Sequence, residues 1–349
     1  MTANAHLVPM NVAVLLLDGN YASTALGPIE VFGSAGALWN TLMGYPGEPR
    51  FKVTVASIDG SPVAAPYGVS LAPQAAIYDV DAADLIVVPA SGLDLDAQLI
   101  RHRALLPWLV DWHARGAYIA SVCTGAAYLA EAGLLDGREA TTHWALAEPY
   151  AQRYPMVKWR PEKFVTEDRR VLCSGGVYAA IDLSLYLVDK FCGHEVAVAC
   201  AKALLVDMPR HHQSGYAVLP LSRPHADEPI RAAEAYIDRH FAANVSVERL
   251  ADQVHLSPRT FIRRFKAATG HAPAKYLQAL RVSIAREMLE ETRKTVDVIS
   301  RAVGYEDVAY FRSVFKRLNG ITPAEYRMRF GRVRLRPNAA DRQDRRSTA

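Results

Sequence analysis

Apolar residues along this 349-residue chain follow two regimes. In the first, continuous apolar runs alternate with segments of helical period. VAVLLLDG (12–19), FKVTVASI (51–58), DLIVVPAS (84–91) and AYIASVC (117–123) are apolar on both faces, as buried parallel strands are. Between them apolar positions return every third or fourth residue. Ile29, Val31, Phe32 and Leu38 follow Gly27-Pro28, which reads as a helix start. Further helices are expected over 105–115, 124–132, 178–191 and 194–205. A short strand pair is expected over 163–174, with Thr166-Glu167-Asp168 at its turn. Strands separated by helices predict an α/β domain with a doubly wound, mainly parallel sheet.

The second regime is all helical and holds one unit twice. VERLADQVHLSPRTFIRRFKAATG (247–270) and VDVISRAVGYEDVAYFRSVFKRLNG (296–320) each read as a short helix, a tight turn and a basic helix. Each carries a small residue in its first helix, Ala251 or Ala302, and each ends in Gly. In the first copy Ser257 caps, Pro258 takes the first helical position, and Phe261 and Phe265 share the inward face. Arg259, Thr260, Ile262, Arg263 and Lys266 then point away. In the second copy Phe311 and Phe315 face inward, which leaves Ala309, Tyr310, Arg312, Ser313 and Lys316 outward. A helix from Pro273 to about Thr292 joins the copies, apolar at Tyr276, Leu277, Leu280, Ile284, Met288 and Leu289. Its length of about 30 Å, at ~1.5 Å per residue, is close to one turn of B-DNA, ~34 Å. One chain could therefore set two reading helices in successive major grooves. A plain helical bundle with solvated basic faces is the competing reading, and the duplication weighs against it.

The pair resembles the DNA-binding domain of the AraC/XylS transcription regulators, over about residues 230–330. The residues that carry the resemblance are LADQV-x-LSPRTFIRRFK, AREML and VGYEDVAYFRSVFKRLNGITPAEYR, the closing G-x-TPAEYR above all. By that resemblance base reading falls on Arg259, Thr260, Ile262 and Arg263, then on Asp307, Ala309, Tyr310, Arg312 and Ser313. Arginine can grip guanine with two hydrogen bonds, whereas Ile262 can offer only a contact to a thymine methyl.

In the first half, Ile119-Ala-Ser-Val-Cys123-Thr-Gly-Ala reads as strand, sharp turn and helix, with a thiol on the turn. The run CTGAAYLAEAGLLDGREATTHW (123–144) resembles the nucleophile elbow of the ThiJ/PfpI family, the class I glutamine amidotransferase-like fold with a flavodoxin-type sheet. That likeness spans about 10–207. With the rear half, the whole chain resembles the GlxA-type AraC regulators. The base such a nucleophile needs is missing from the pattern. Thr124, not His, follows Cys123, and Thr24-Ala25-Leu26-Gly27-Pro28 lacks the carboxylate of the D-x-x-G-P of related hydratases. Glu30 lies on another helical phase, and Ala90-Ser91-Gly92 keeps one oxyanion-type donor, Gly92 N–H. The expectation is a vestigial elbow with no catalytic residue. Cys123, Thr124, Gly92, His143, Glu30 and Asp18 would line a small-molecule pocket. The other reading is a Cys-dependent hydratase or amidase-like enzyme with a DNA-binding domain attached. Partners implied by the resemblance are double-stranded DNA, an amino-acid-like or quaternary ammonium effector, a second copy of the chain and RNA polymerase.

Charge sharpens the division. Residues 1–229 hold 16 basic and 23 acidic side chains, net −7, and residues 230–349 hold 24 and 13, net +11. A basic rear half suits phosphate. Cys123, Cys173, Cys192 and Cys200 form no C-x-x-C pair, which fits a reduced, cytoplasmic setting. No run of eighteen apolar residues and no basic-then-apolar leader is present, so no membrane span or signal peptide is expected. No cofactor is implied, and His211-His212 lacks a third ligand for a metal. The expected plan is a sensor domain at 10–207, a linker rich in Pro, His, Ser and Gly at 208–229, the DNA-binding domain at 230–330 and a disordered basic tail at 331–349.

Overall fold

The computed structural model describes residues 8–210, 213–214, 216 and 225–331. The His211-His212 pair and the tail beyond Gly331 lie outside the described residues. The chain forms two compact units, Met1–Ala217 and Val218–Ala349.

The first unit runs β1 (Met10–Leu16), α1 (Ser23–Ser34), α2 (Leu38–Leu42), β2 (Phe51–Ser57), the two-residue strands β3 (Val63–Ala64), β4 (Ser70–Leu71) and β5 (Ala75–Ala76), then β6 (Leu85–Val88). It continues through α3 (Leu95–Arg101), α4 (Leu105–Ala114), β7 (Tyr118–Val122), α5 (Ala126–Glu131), β8 (Glu139–Ala140), α6 (Ala147–Arg153) and β9 (Lys158–Trp159). The strands β10 (Val165–Asp168) and β11 (Val171–Ser174) and the helices α7 (Ala179–Cys192) and α8 (His194–Leu204) close it. The main sheet has the order β10-β11-β7-β6-β1-β2-β5, parallel except for the β10/β11 hairpin. Strand β1 shows why the apolar runs are unbroken. Ala13, Leu15 and Leu17 pack under α4 and α5, while Val12, Val14 and Leu16 pack under α1, α7 and α8. With both faces covered, alternation disappears. Strand order reverses between β1 and β6, so their carboxyl ends flank the crevice where open α/β sheets place ligands.

Three local expectations are corrected. Thr166, Glu167 and Asp168 lie in β10, and the turn is Arg169-Arg170, both left-handed at φ 49° and 68°. Two arginines carry none of the Gly or Asn chemistry that announces such a turn. Helix α1 begins at Ser23, so Gly27-Pro28 sits inside it. The helix after the elbow begins at Ala126, because Cys123–Gly125 forms a single 3-10 turn first.

The second unit is α9 (Glu228–His240), α10 (Val247–Gln253), α11 (Pro258–Thr269), α12 (Pro273–Glu291), α13 (Val296–Ala302), α14 (Val308–Asn319) and α15 (Pro323–Phe330). It has two small cores. Ile230, Ile237, Leu250, Ala251, Phe261 and Phe265 fill the first, and Ile299, Val303, Phe311, Val314, Phe315 and Tyr326 fill the second. Helix α12 belongs to both, through Tyr276 and Leu280 in one and Val282, Ala285 and Leu289 in the other. Phe261, Phe265, Phe311 and Phe315 are fully buried, each favoured by roughly 1.5–3 kcal/mol of apolar transfer.

Candidate nucleic-acid interface and the buried elbow

The chain ends of α11 and α14 are set by short-range chemistry. Ser257 caps α11 by accepting from Thr260 N, with Pro258 at the first helical position. Asp307 caps α14 by accepting from Ala309 N and Tyr310 N at 2.8 and 3.1 Å. Both helices stop at left-handed glycines, Gly270 and Gly320. A capping box between Thr322 and Glu325 starts α15, which explains the TPAE of the closing motif. With both pairs of phenylalanines turned inward, the opposite faces are fixed. Arg259, Ile262, Arg263 and Lys266 are exposed on α11, with Thr260 half-buried; Ala309, Tyr310, Arg312, Ser313 and Lys316 are exposed on α14. Asp307, expected at a base, has one carboxylate oxygen engaged by its own helix terminus.

The two faces differ in what holds them. Among the described residues Arg259, Arg263 and Lys266 form no ion pair. Arg312 pairs with Asp297 of α13 at 3.2 Å, Tyr310 Oη accepts from Gln278 of α12 at 3.2 Å, and Arg317 donates to the same Gln278 at 3.0 Å. Helix α11 is braced instead from its flank, where Arg264 grips Asp227, the cap of α9, with two hydrogen bonds of 2.7 and 3.0 Å.

At the elbow the picture is opposite. Cys123 has φ 54°, the strained turn a nucleophile elbow requires. Gly125 permits it: a β-carbon there would meet the Val88 and Pro89 carbonyl oxygens at 2.8 and 2.7 Å. The thiol is buried, and burial pushes it up to about 11, with backbone hydrogen bonds from Thr124 and His143 opposing only in part. At pH 7 that leaves on the order of one thiolate in ten thousand. Thr124 Oγ1 donates to Ser91 O at 2.8 Å, and Thr142 Oγ1 donates to Cys123 O at 2.9 Å. The His143 ring accepts from Ala145 N and stands against Trp144, and burial holds it below its usual value. Thr24, in place of the hydratase carboxylate, is wholly buried; its hydroxyl donates to Tyr21 O at 2.6 Å and accepts from Ala90 N at 3.1 Å.

Of the six expected pocket residues, Cys123, Thr124 and Gly92 lie at the carboxyl ends of β7 and β6. His143 reaches Cys123 through its backbone. Asp18 lies at the end of β1, accepts from Ala64 N and faces Arg101 at 3.6 Å. Glu30 is exposed on α1, off that helix's buried stripe of Thr24, Ala25, Pro28, Val31 and Phe32. Sequence reasoning missed three residues. Asn20 Nδ2, Gln98 Oε1 and His102 Nε2 are buried without a hydrogen-bond partner. They belong to one edge: the Gln98 amide nitrogen is 3.1 and 3.2 Å from where β-carbons on Gly19 and Gly92 would stand, and Asn20 follows Gly19. His102 Nδ1 contacts Tyr128 Oη at 2.9 Å, and that hydroxyl donates to Ser91 Oγ at 3.0 Å. Burial holds His102 down to about 4 against the pull of Asp18. Only the polar Asp-Gly-Asn at the end of the first apolar run hinted at them. A cavity of about 800 Å³ opens at the other edge, where Met10, Asn11, Asp84 and Tyr118 begin their strands, away from all of these groups.

Comparison with known proteins decides the family. The DJ-1/PfpI family matches residues 10–190, and a helix-turn-helix domain matches residues 250–329. The chain is 29% identical over 278 residues to the HTH-type transcriptional regulator CdhR of Pseudomonas aeruginosa, covering 79% of this chain and 82% of that protein. It is 30% identical over 252 residues to the HTH-type transcriptional regulator ArgR of the same species, 71% of each. The chain belongs to the GlxA-type AraC/XylS regulators. The chain is also similar to the isonitrile hydratase of Pseudomonas putida, 33% identical over 151 residues, 43% of this chain and 63% of that enzyme. The regulator thus joins a DJ-1/PfpI α/β domain to a DNA-binding double helix-turn-helix. Among its described residues no group of three or more His, Cys, Asp or Glu is placed to hold a metal, and no helix is long and apolar enough to cross a membrane.

Proposed function

We propose that the α/β domain is a non-catalytic sensor whose small-molecule effector sets how the double helix-turn-helix meets its operator. The observation that carries this is the pairing of a sealed thiol with unsatisfied polar groups on one sheet edge. Among the described residues the Cys123 thiol is hydrogen-bonded by backbone alone, and Thr24 occupies the carboxylate's place with its hydroxyl already engaged. Beside it Asn20, Gln98 and His102 each keep a buried polar atom unpartnered. Each such atom costs roughly 1–3 kcal/mol, a cost that a ligand with matching polar groups removes. Asp18 and Arg101 at the rim offer both signs of charge, which suits the amino-acid-like or quaternary ammonium class. Residues Cys123, Thr124, Gly92, His143 and Asp18, joined by Asn20, Gln98 and His102, form that site. Base reading rests on Arg259, Thr260, Ile262, Arg263 and Lys266 of α11 and on Ala309, Tyr310, Arg312 and Ser313 of α14. The regulator works as a homodimer alongside RNA polymerase, in the reduced cytoplasm that its four free cysteines suit.

An effector must favour one of two states to regulate. The test is titration of the full chain with amino acids and quaternary ammonium compounds while affinity for a duplex selected on the protein is followed. A compound that shifts that affinity, in wild type and in Cys123→Ala alike, supports a sensor without chemistry. A compound consumed by wild type but not by Cys123→Ala would instead support the hydratase or amidase-like reading.

A further inference from the structure

We infer that the DNA-reading unit holds a ligand site of its own, for a small apolar carboxylate, in the cleft between its two helix-turn-helix copies, and that the occupant acts on the second reading helix. The binding claim stands apart from the sensor reading above, and the effect on DNA rests on the place proposed there for Tyr310.

The cleft has a volume of about 240 Å³ and takes its walls from both copies. Val247 and Leu250 of α10, with Val245 just before them, line it from the first copy. Tyr305 and Tyr310 line it from the second, and Leu277 comes from α12, the helix shared by both cores. Val245, Val247 and Leu277 are only half-buried, so an apolar body laid against them removes surface from water. An apolar cavity of roughly 150 Å³ already takes benzene, so a single ring fits here.

The polar groups on these walls are in different states. The Gln278 amide is engaged at both ends, donating to Tyr310 Oη at 3.2 Å and accepting from Arg317 at 3.0 Å. Arg281 donates to the Phe241 and Ala243 carbonyls at 2.7 and 2.9 Å and stands 5.1 Å from the centre of the Tyr305 ring, yet forms no ion pair among the described residues. Tyr305 is fixed by its backbone, which donates to Ser300 O at 2.9 Å and accepts from Ser300 Oγ at 3.2 Å. Its hydroxyl is buried without a hydrogen-bond partner. The neighbouring guanidinium can only donate, so it gives that hydroxyl's proton no acceptor. Burial, opposed in part by Arg281, pushes the group above its usual value and keeps the proton in place. Among the described residues that line the cleft none is acidic. A cation without a counter-ion and a proton without an acceptor together call for a carboxylate. An ammonium group would meet Arg281 with like charge and bring donors where an acceptor is missing. The occupant also lies against α14: the Tyr305 and Tyr310 rings are 5.9 Å apart, and Gln278 ties both Tyr310 and Arg317 to α12.

The test uses the full chain and three molecules of similar shape: cyclohexanecarboxylate, cyclohexanecarboxamide and cyclohexylmethylamine. Methyl resonances of Val245, Val247, Leu250 and Leu277 report binding in the cleft itself. The carboxylate should shift them saturably and bind more tightly than the carboxamide, with the amine weakest. Tyr305→Phe removes only the hydroxyl. It should weaken carboxylate binding by about tenfold or more, as loss of a hydrogen bond to a charged group does. The unfolding midpoint should be no lower, because the hydroxyl proton has no acceptor to lose. In wild type the carboxylate should shift affinity for a duplex selected on the chain by about fivefold or more, and at the same concentration Tyr305→Phe should abolish that shift. Methyls that stay put at millimolar carboxylate would show the cleft closed to such molecules, and the inference falls. Equal shifts with all three molecules would leave an apolar hollow without carboxylate chemistry, and the inference falls as well. Bound carboxylate with duplex affinity unaltered would overturn the action on the reading helix. A duplex effect that survives Tyr305→Phe while the methyls stay put arises in the α/β domain: it supports the sensor reading and overturns this inference.

Discussion

The elbow edge of the α/β domain and the outward faces of α11 and α14 are both crowded with polar groups, yet they are built to opposite ends. At the elbow the reactive atom is inside: the Cys123 thiol is buried, tied by backbone and held protonated. On α11 the reactive atoms are outside, with Arg259, Arg263 and Lys266 exposed and without ion pairs among the described residues. Enzymes of the elbow type need a nucleophile that is exposed and ionised. DNA readers need cations that are exposed and unspoken for. Arg259, Arg263 and Lys266 have the exposure that the second requirement asks for, and the buried Cys123 thiol lacks the exposure that the first asks for. The first copy presents Arg259 and Arg263 without an ion pair among the described residues, whereas the second holds Arg312, Tyr310 and Arg317 against Asp297 and Gln278.

The contrast can be broken in four ways, from the largest effect down. Removing the support of either reading face should cost most. Phe261→Ala or Phe311→Ala is expected to lower the stability of the helical unit by about 3–5 kcal/mol, read by denaturant unfolding, and a cost under 1 kcal/mol would mean these faces are not set by their cores. Next comes acid sensitivity at the elbow edge. His102 titrates near 4 when folded and near 6.5 when unfolded, so the unfolded chain holds the extra proton between those values. Stability of the α/β domain should therefore be intact above pH 6.5 and fall by roughly 3 kcal/mol as pH drops to 4. His102→Gln should flatten that slope, and an unchanged slope would place the acid sensitivity elsewhere. Third, Arg263→Ala should weaken specific duplex binding by roughly 1–3 kcal/mol and relax one base position. Last, Asp297→Ala should release Arg312 and tighten duplex binding by less than about 1 kcal/mol, since an exposed ion pair is worth little. Weaker binding would mean that Asp297 positions Arg312.

Much of this was legible because it follows from periodicity and caps. The runs at 12–19 and 84–91 gave the central strands, and the Phe261/Phe265 and Phe311/Phe315 spacings gave both inward faces. Ser257-Pro258 and the two terminal glycines marked the ends of their helices. What was hidden depended on partners far along the chain. The Arg169-Arg170 turn is imposed by the pairing of β10 with β11, since nothing in the pair itself favours left-handed backbone. Asp307 falls among the reading residues by resemblance alone, and the helix terminus shows that one of its carboxylate oxygens also caps α14. Arg210 and Gln213 sat in a stretch whose Pro, His, Ser and Gly content reads as linker, because the acceptors that order them lie at Asp182 and at Thr141–Lys163.

We propose that one duplex face meets both reading helices, with α12 setting their separation. Chemical footprinting on a duplex selected with the full chain tests it directly. Two protected major-groove patches about 10 base pairs apart on one face are expected, with Arg263→Ala losing protection in one patch and Arg312→Ala in the other. A single patch, or protection that survives both substitutions, would contradict it.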